Sequence, residues 1–135
     1  MVNKPKFQKF KKEYSSKLFR IAENDLYAAE YLVGAPKCRP ELILYQVQQS
    51  VEKSIKAVLV FGDKSVPLTH DIELLLVELD TLDQQKLPEG ASEFSRFATI
   101  KRYTEGDESY DQNDISSAIQ VGKIFLKWAR FKLNL

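Results

Sequence analysis

The chain has 135 residues, of which 44% are hydrophobic and 29% charged, a balance that predicts one globular domain and excludes a disordered segment. The single cysteine excludes an internal disulfide and a multi-cysteine metal site, and because no signal-peptide pattern is present we expect a cytoplasmic protein. No apolar run approaches the roughly 18 residues of a membrane-spanning helix, so we expect no membrane insertion.

The net charge of +1 conceals a strong segregation of charge along the chain. Residues 1–20 contain seven Lys or Arg and one acid, whereas residues 71–93 contain seven acids and one base, and residues 123–132 contain four bases and no acid. This pattern predicts either a basic surface that attracts phosphates or opposite segments that attract each other within the fold. For residues 1–20 we favour the internal attraction.

Two long helices are predicted first. The first runs from about residue 6 to residue 32, with apolar residues at spacings of three and four, and Gly34-Ala35-Pro36 ends it. The central helix spans 42–62, with Pro40 near its first turn, where a missing N–H costs nothing. Its apolar stripe predicts a buried face and consists of Leu44, Val47, Val51, Ile55 and Val58. A polar row follows on its flank, made of Tyr45, Gln49, Glu52 and Lys56.

The second half of the chain also has helical periodicity. A third helix is predicted from a Thr69 cap to about Gln85, a shorter fourth contains Phe94 and Phe97, and 105–114 reads as an acidic loop. Asp111 or Asn113 is expected to cap the last helix, in which Ala118 and Gly122 would allow close helix approach. No segment has a convincing strand pattern. We therefore predict an all-α fold, an antiparallel up-and-down four-helix bundle with one additional short helix, forming a single domain over residues 1–135.

Several short motifs in this order resemble the HEPN domain family. The resemblance extends from about Asp25 to Trp128. The motif residues are Asp25-Leu26 with Ala28-Ala29-Glu30, Gln48-Gln49 followed by Glu52-Lys53 and Lys56-Ala57, Thr69-His70-Asp71-Ile72 with Leu75, and Arg102-Tyr103. The resemblance implies a helical bundle that forms a homodimer, and small members of this kind bind a separately encoded minimal nucleotidyltransferase.

Other members of that family are metal-independent ribonucleases with an Arg-x4-6-His motif, and this sequence departs from it. The only histidine is His70, and Asp63, Lys64 and Ser65 occupy the positions where the arginine would stand. Arg102 has no histidine in the corresponding downstream window. The catalytic pair of the family therefore does not transfer to this chain, although Lys64 has a permissible spacing from His70.

Candidate ligand-binding residues come from the polar row and the motifs: Gln49, Glu52, Lys56, His70, Asp71, Arg102 and Tyr103. A histidine near a helix start could contact a phosphate or transfer a proton. Each candidate also has a structural alternative. His70 could bond the Gln49/Glu52 row, Asp71 could stabilise the first turn, and Arg102 could pair with an acid such as Glu52.

Two functional hypotheses follow from these residues and the resemblance, beside a third in which the bundle serves only for assembly. The first is a non-enzymatic module that binds a nucleotide or substrate and partners a minimal nucleotidyltransferase in a toxin–antitoxin-like pair. The second is a divergent ribonuclease toxin acting on RNA, with His70 as its catalytic group and Lys64 or Arg102 beside it. Neither hypothesis calls for a cofactor or a metal ion.

Overall fold

The computed structural model describes residues 5–91 and 110–135, which form a mostly helical fold and confirm the predicted all-α class. The predicted helix around Phe94 and Phe97 lies outside the described residues, as do Arg102 and Tyr103. The elements are β1 (Phe7–Gln8), α1 (Tyr14–Leu32), α2 (Pro40–Phe61), β2 (Val66–Pro67), α3 (Ile72–Leu76), α4 (Thr81–Lys86) and α5 (Gln112–Lys132).

Helix α2 is the centre of the core, because α1 and α5 both pack against it. All five residues of its predicted apolar stripe are buried, and burial extends around most of the helix. Even its serines face protein, and the Ser50 hydroxyl donates a hydrogen bond of 2.7 Å to the Ala22 carbonyl of α1. A helix surrounded in this way is stabilised mainly by tertiary packing.

Gly122 allows α5 to lie directly against α1. A Cβ atom at this position would come within 2.7 Å of Leu26 Cδ1, and Val47 Cγ1 lies just beyond at 3.4 Å. The predicted close approach at this glycine is therefore confirmed, and a larger residue would require the Leu26 side chain to shift.

The predicted start of the first helix is wrong, as is the absence of strands. Helix α1 begins at Tyr14 rather than near residue 6. Upstream, Phe7 and Gln8 pair antiparallel with Pro67 and Val66, and the Leu68 N–H donates to the Lys6 carbonyl at 2.7 Å. This long-range pairing satisfies backbone groups that a continued helix would have used internally.

The predicted third helix is divided into α3 and α4. Residues 77–80 leave the helix between them, and side chains bind two of the freed carbonyls. Lys64 Nζ donates to the Glu78 carbonyl at 3.1 Å, and Gln84 Nε2 donates to the Leu79 carbonyl at 2.7 Å. These bonds replace helical hydrogen bonds that the break removes.

The predicted cap of the last helix is found in the structure, whereas the predicted cap of the third helix is not. Asp111 caps α5 and forms a reciprocal capping box with Asp114, as its sequence position predicted. Asp71, rather than Thr69, is the N-cap of α3, where its Oδ1 accepts the Glu73 N–H at 3.0 Å. Thr69 accepts the Asp71 N–H instead, which fixes the turn before the helix.

Candidate functional site

A buried carboxylate stands at the centre of the polar side of α2. Glu52 is only 3% exposed, and its neighbour one turn earlier, Gln48, is fully buried. Glu52 Oε2 accepts from Lys56 Nζ at 3.2 Å, and Glu52 Oε1 accepts from Gln48 Nε2 at 3.3 Å. A carboxylate removed from water needs such partners, so its position and orientation are tightly defined.

The loop between β2 and α3 brings His70 onto this carboxylate. His70 Nδ1 lies 2.7 Å from Glu52 Oε1, and the His70 carbonyl accepts a second bond from Gln48 Nε2 at 3.2 Å. The histidine side chain is nevertheless 67% exposed, so the ring connects a buried charge with solvent. Because an ionised carboxylate can only accept, the Nδ1–H of His70 donates to Glu52, and Nε2 is left for a ligand, accepting in the neutral ring and donating in the imidazolium.

The same network continues in the opposite direction to α1. Gln49 Nε2 donates to Gln48 Oε1 at 2.6 Å, and Lys53 Nζ donates to Gln49 Oε1 at 2.8 Å. Lys53 then forms an ion pair of 2.7 Å with Asp25 Oδ2. We call the connected set the α2 network; it contains Asp25, Gln48, Gln49, Glu52, Lys53, Lys56 and His70.

Sequence reasoning identified four members of the α2 network as candidate site residues and missed three. Gln49, Glu52, Lys56 and His70 were candidates, whereas Gln48 and Lys53 were placed beside the polar row without a role and Asp25 was a motif residue. The signal was present in the spacing, because Gln48–Glu52 and Gln49–Lys53 are both i,i+4 pairs on one helix. The pairing of Asp25 with Lys53 depends on how α1 packs against α2, which the spacing within one helix does not give.

The remaining candidates lie elsewhere or outside the described residues. Asp71 has the structural role of an N-cap. Lys64 Nζ binds Asp80 Oδ1 at 3.0 Å and the Glu78 carbonyl, and none of the contacts that the structure describes joins it to His70. Arg102 and Tyr103 lie outside the described residues, and the described contacts of Lys64 are with Asp80 and Glu78 rather than with His70.

A second buried carboxylate was not predicted. Asp83 of α4 is 5% exposed, accepts the indole N–H of Trp128 at 3.1 Å, and pairs with Lys132 at 3.0 Å. A cavity of about 260 Å³ lies beside it, lined in part by Lys64 and Asp80. The hydrogen bond and positive charge of Lys64 lower the pKa of the Asp80 carboxyl.

The α2 network has the chemistry of a binding site for an anion or a hydroxyl group. The His70 ring offers Nε2 at the surface, and Lys56 provides a positive charge on the other side of Glu52. Between residues 5 and 91 and between 110 and 135, no three metal-ligating side chains come together. The helices in those ranges also lack the length and apolar character needed to cross a bilayer.

Within the described residues, the internal attraction expected for the basic N-terminal segment is limited to a few contacts. Of the cations at positions 5–20, Lys9 forms an ion pair, with Asp63 at 3.5 Å, and Lys12 lies over the Phe61 ring at 4.3 Å. Four other cations of this segment are exposed to solvent and form no ion pair with the described residues: Lys6, Lys11, Lys17 and Arg20. A basic surface is therefore present.

The model of the HEPN domain family matches residues 15–132, which include α2, α5, all but the first residue of α1, and every member of the α2 network. No curated protein and no solved structure matches the chain.

Proposed function

Since the chain belongs to the HEPN domain family, we propose that it is a non-enzymatic module that binds a nucleotide or another substrate for a separately encoded minimal nucleotidyltransferase. In this proposal the protein is a homodimer, each copy an up-and-down four-helix bundle, and the two gene products form a toxin–antitoxin-like pair. The α2 network is the binding site.

The observation that carries the proposal is the contact between Glu52 and His70. A buried carboxylate fixes the orientation of an exposed ring through a 2.7 Å contact, so the ring is pre-organised to meet a ligand. The positive charge of Lys56 favours an anionic group such as a phosphate. Binding rather than cleavage is favoured because the sequence lacks the arginine that the ribonuclease motif pairs with histidine.

The test is calorimetric titration of the purified protein with ATP, followed by co-purification with a minimal nucleotidyltransferase encoded beside it. We expect His70→Gln and Lys56→Gln each to weaken nucleotide binding about tenfold, the loss of one charge-assisted hydrogen bond. Lys127→Gln is the matched control, because this exposed lysine on α5 lies outside the α2 network. Wild-type protein that binds neither the nucleotide nor the enzyme would contradict the proposal.

A ribonuclease that uses His70 is the second candidate, and the same contact favours it. A carboxylate on Nδ1 stabilises the imidazolium that forms when Nε2 accepts a proton, which suits a general base. Lys64 is occupied by Asp80, so the second group would be Lys56 or Arg102. RNA cleavage in EDTA that is present in wild type and absent in His70→Ala would establish this candidate, whereas cleavage unchanged by the substitution would exclude it.

A further inference from the structure

Two aromatic pairs lie on the surface of α1 and just before it. Tyr27 and Tyr31 are 69% and 76% exposed, and their rings stack with centroids 6.3 Å apart. Phe10 and Tyr14 stack at 5.1 Å at the other end of the helix, beside a hollow of about 320 Å³. Folding leaves most of Tyr27 and Tyr31 in water, although burying aromatic surface is normally favourable, whereas Phe10 also packs against the core and Tyr14 is 37% exposed.

Unpaired cations lie between the two aromatic pairs. Lys17, Arg20, Asn24, Tyr27 and Tyr31 follow one another at spacings of three and four, so they share one side of the helix. Lys17 and Arg20 are exposed and form no ion pair with the described part of the chain. We call this set, together with Phe10 and Tyr14, the α1 face.

The acids of α1 do not neutralise this face. Glu23 and Glu30 lie on the side of the helix that meets α5, where Arg130 and Lys123 bind them. Glu13 is the acid nearest to the α1 face, at its N-terminal end. The side therefore carries a net positive charge between two aromatic pairs, of which Tyr27–Tyr31 is the more exposed.

We propose that the α1 face binds a single strand of nucleic acid. Bases stack on the Tyr27–Tyr31 and Phe10–Tyr14 pairs, and the phosphates between them contact Lys17 and Arg20. From Tyr14 to Tyr31 the helix rises about 26 Å, the length of a few nucleotides of extended strand. An acidic protein segment would use the cations but would leave the paired rings without a stacking partner, so the aromatic pairs favour a nucleic acid.

This site is distinct from the α2 network, so either proposal can fail without the other. The α1 face involves none of the network residues, and its variants are read by strand binding rather than by ATP binding.

The experiment is fluorescence anisotropy of labelled twelve-nucleotide oligo(U) RNA and oligo(dT) DNA, titrated with the full chain at two salt concentrations. We expect Tyr27→Ala/Tyr31→Ala to weaken binding by at least about tenfold for each strand that binds. Lys17→Gln/Arg20→Gln should weaken it and reduce the slope of log affinity against log salt by about 1.4, for two lost phosphate contacts. Tyr27→Phe/Tyr31→Phe keeps both rings and should bind like wild type.

Lys127→Gln/Phe131→Ala is the matched control, because it removes an exposed lysine and an exposed aromatic ring from α5. Binding should be unchanged in it. RNA preferred over DNA would identify RNA as the ligand, and equal affinity would identify single strands in general. The proposal is overturned if wild type binds neither strand, if the control weakens binding as much as the α1 variants, or if polyglutamate competes as well as the oligonucleotides, which would indicate an acidic protein partner.

Discussion

Two buried carboxylates, Glu52 of α2 and Asp83 of α4, have similar surroundings, but only Glu52 contacts a side chain that reaches the solvent. Each is at most 5% exposed and each is bound by one lysine and one aromatic nitrogen. The aromatic partner of Glu52 is the exposed ring of His70, whereas that of Asp83 is the buried indole of Trp128. The contacts of Glu52 connect the core with the protein surface, whereas those of Asp83 join α4 to α5.

The difference shows that a buried charge alone does not mark a functional site. Asp83 has its partners within the protein, and its trapped charge specifies how two helices meet. Glu52 also has its partners, but one of them retains a free hydrogen-bonding atom in solvent. What distinguishes a candidate site is therefore the accessible atom that the buried charge orients.

The largest expected effect is on the structural carboxylate. Asp83→Ala leaves the Trp128 N–H and the Lys132 ammonium without their acceptor, so we expect the free energy of unfolding to fall by about 3–5 kcal/mol. Urea unfolding followed by the fluorescence of Trp128, the only tryptophan, measures it. The exposed neighbour offers a control, since Asp80→Ala should leave stability close to that of the wild type. A loss of similar size in both variants would remove the distinction drawn for Asp83.

Glu52→Gln should have a smaller effect on stability and a larger one on binding. The amide keeps the volume and still accepts from one partner, so we expect a loss of about 1–3 kcal/mol. The amide no longer fixes the His70 ring as a carboxylate does, so nucleotide binding should weaken in protein that remains folded. Urea unfolding and ATP titration of the same sample separate the two. Unchanged binding would make Glu52 a structural residue like Asp83.

Trp128→Phe tests whether the indole N–H matters apart from the ring. Phenylalanine keeps much of the buried aromatic surface but donates no hydrogen bond to Asp83, so stability should fall by about 1–2 kcal/mol. Circular dichroism must follow unfolding here, since the fluorophore is lost. In the double variant Trp128→Phe/Asp83→Asn, the loss in free energy of unfolding should be smaller than the sum of the losses in the two single variants. Losses that are strictly additive would show that the Trp128–Asp83 contact contributes nothing to stability.

His70→Gln should barely alter stability, although it removes the partner of a buried carboxylate. The ring is mostly solvated, and Lys56 and Gln48 still bind Glu52, so we expect a change of less than about 1 kcal/mol. Thermal unfolding at neutral pH measures this. A loss as large as that of Asp83→Ala would mean that His70 is a structural residue.

The smallest expected effect concerns Asp80, where Lys64 lowers the pKa. A carboxyl whose pKa is lower in the folded state contributes stability above its unfolded pKa, and this contribution is lost as the pH falls through the folded pKa. In Lys64→Met the Asp80 pKa should rise toward the ordinary value. Carboxyl chemical shifts in an NMR titration report it directly, and an unchanged pKa would show that Lys64 is not the cause.

The long helices and their buried faces could be predicted from the sequence, because they depend on local periodicity. The stripe from Leu44 to Val58, the Asp111 cap and the close approach at Gly122 are all of this kind. The Glu52–Lys56 pair was predictable for the same reason, and the contact of His70 with that row was one of two alternatives.

The predictions that failed concern residues whose structure depends on contacts with residues distant in the chain. Nothing in Phe7 and Gln8 identifies their pairing with residues 66 and 67, and helical periodicity was extended through them. In the sequence, Asp83 has the position of a solvent-facing residue in an amphipathic helix. In the fold it is bound by Trp128, which lies 45 positions later in the chain. The break between α3 and α4 likewise depends on Lys64 and Gln84 binding the freed carbonyls.

The β1–β2 ladder also affects the order in which the molecule folds and opens. Pairing Phe7 with Pro67 closes a loop of about sixty residues, at an entropic cost of about 4 kcal/mol. Two short strands, one of them exposed, recover little of this cost by themselves, so we expect the ladder to form after α1 and α2 have packed. The amides of the ladder should exchange with solvent faster than those of α2. Because His70 follows β2 by three residues, the α2 network lies where a rapidly exchanging segment meets a slowly exchanging helix.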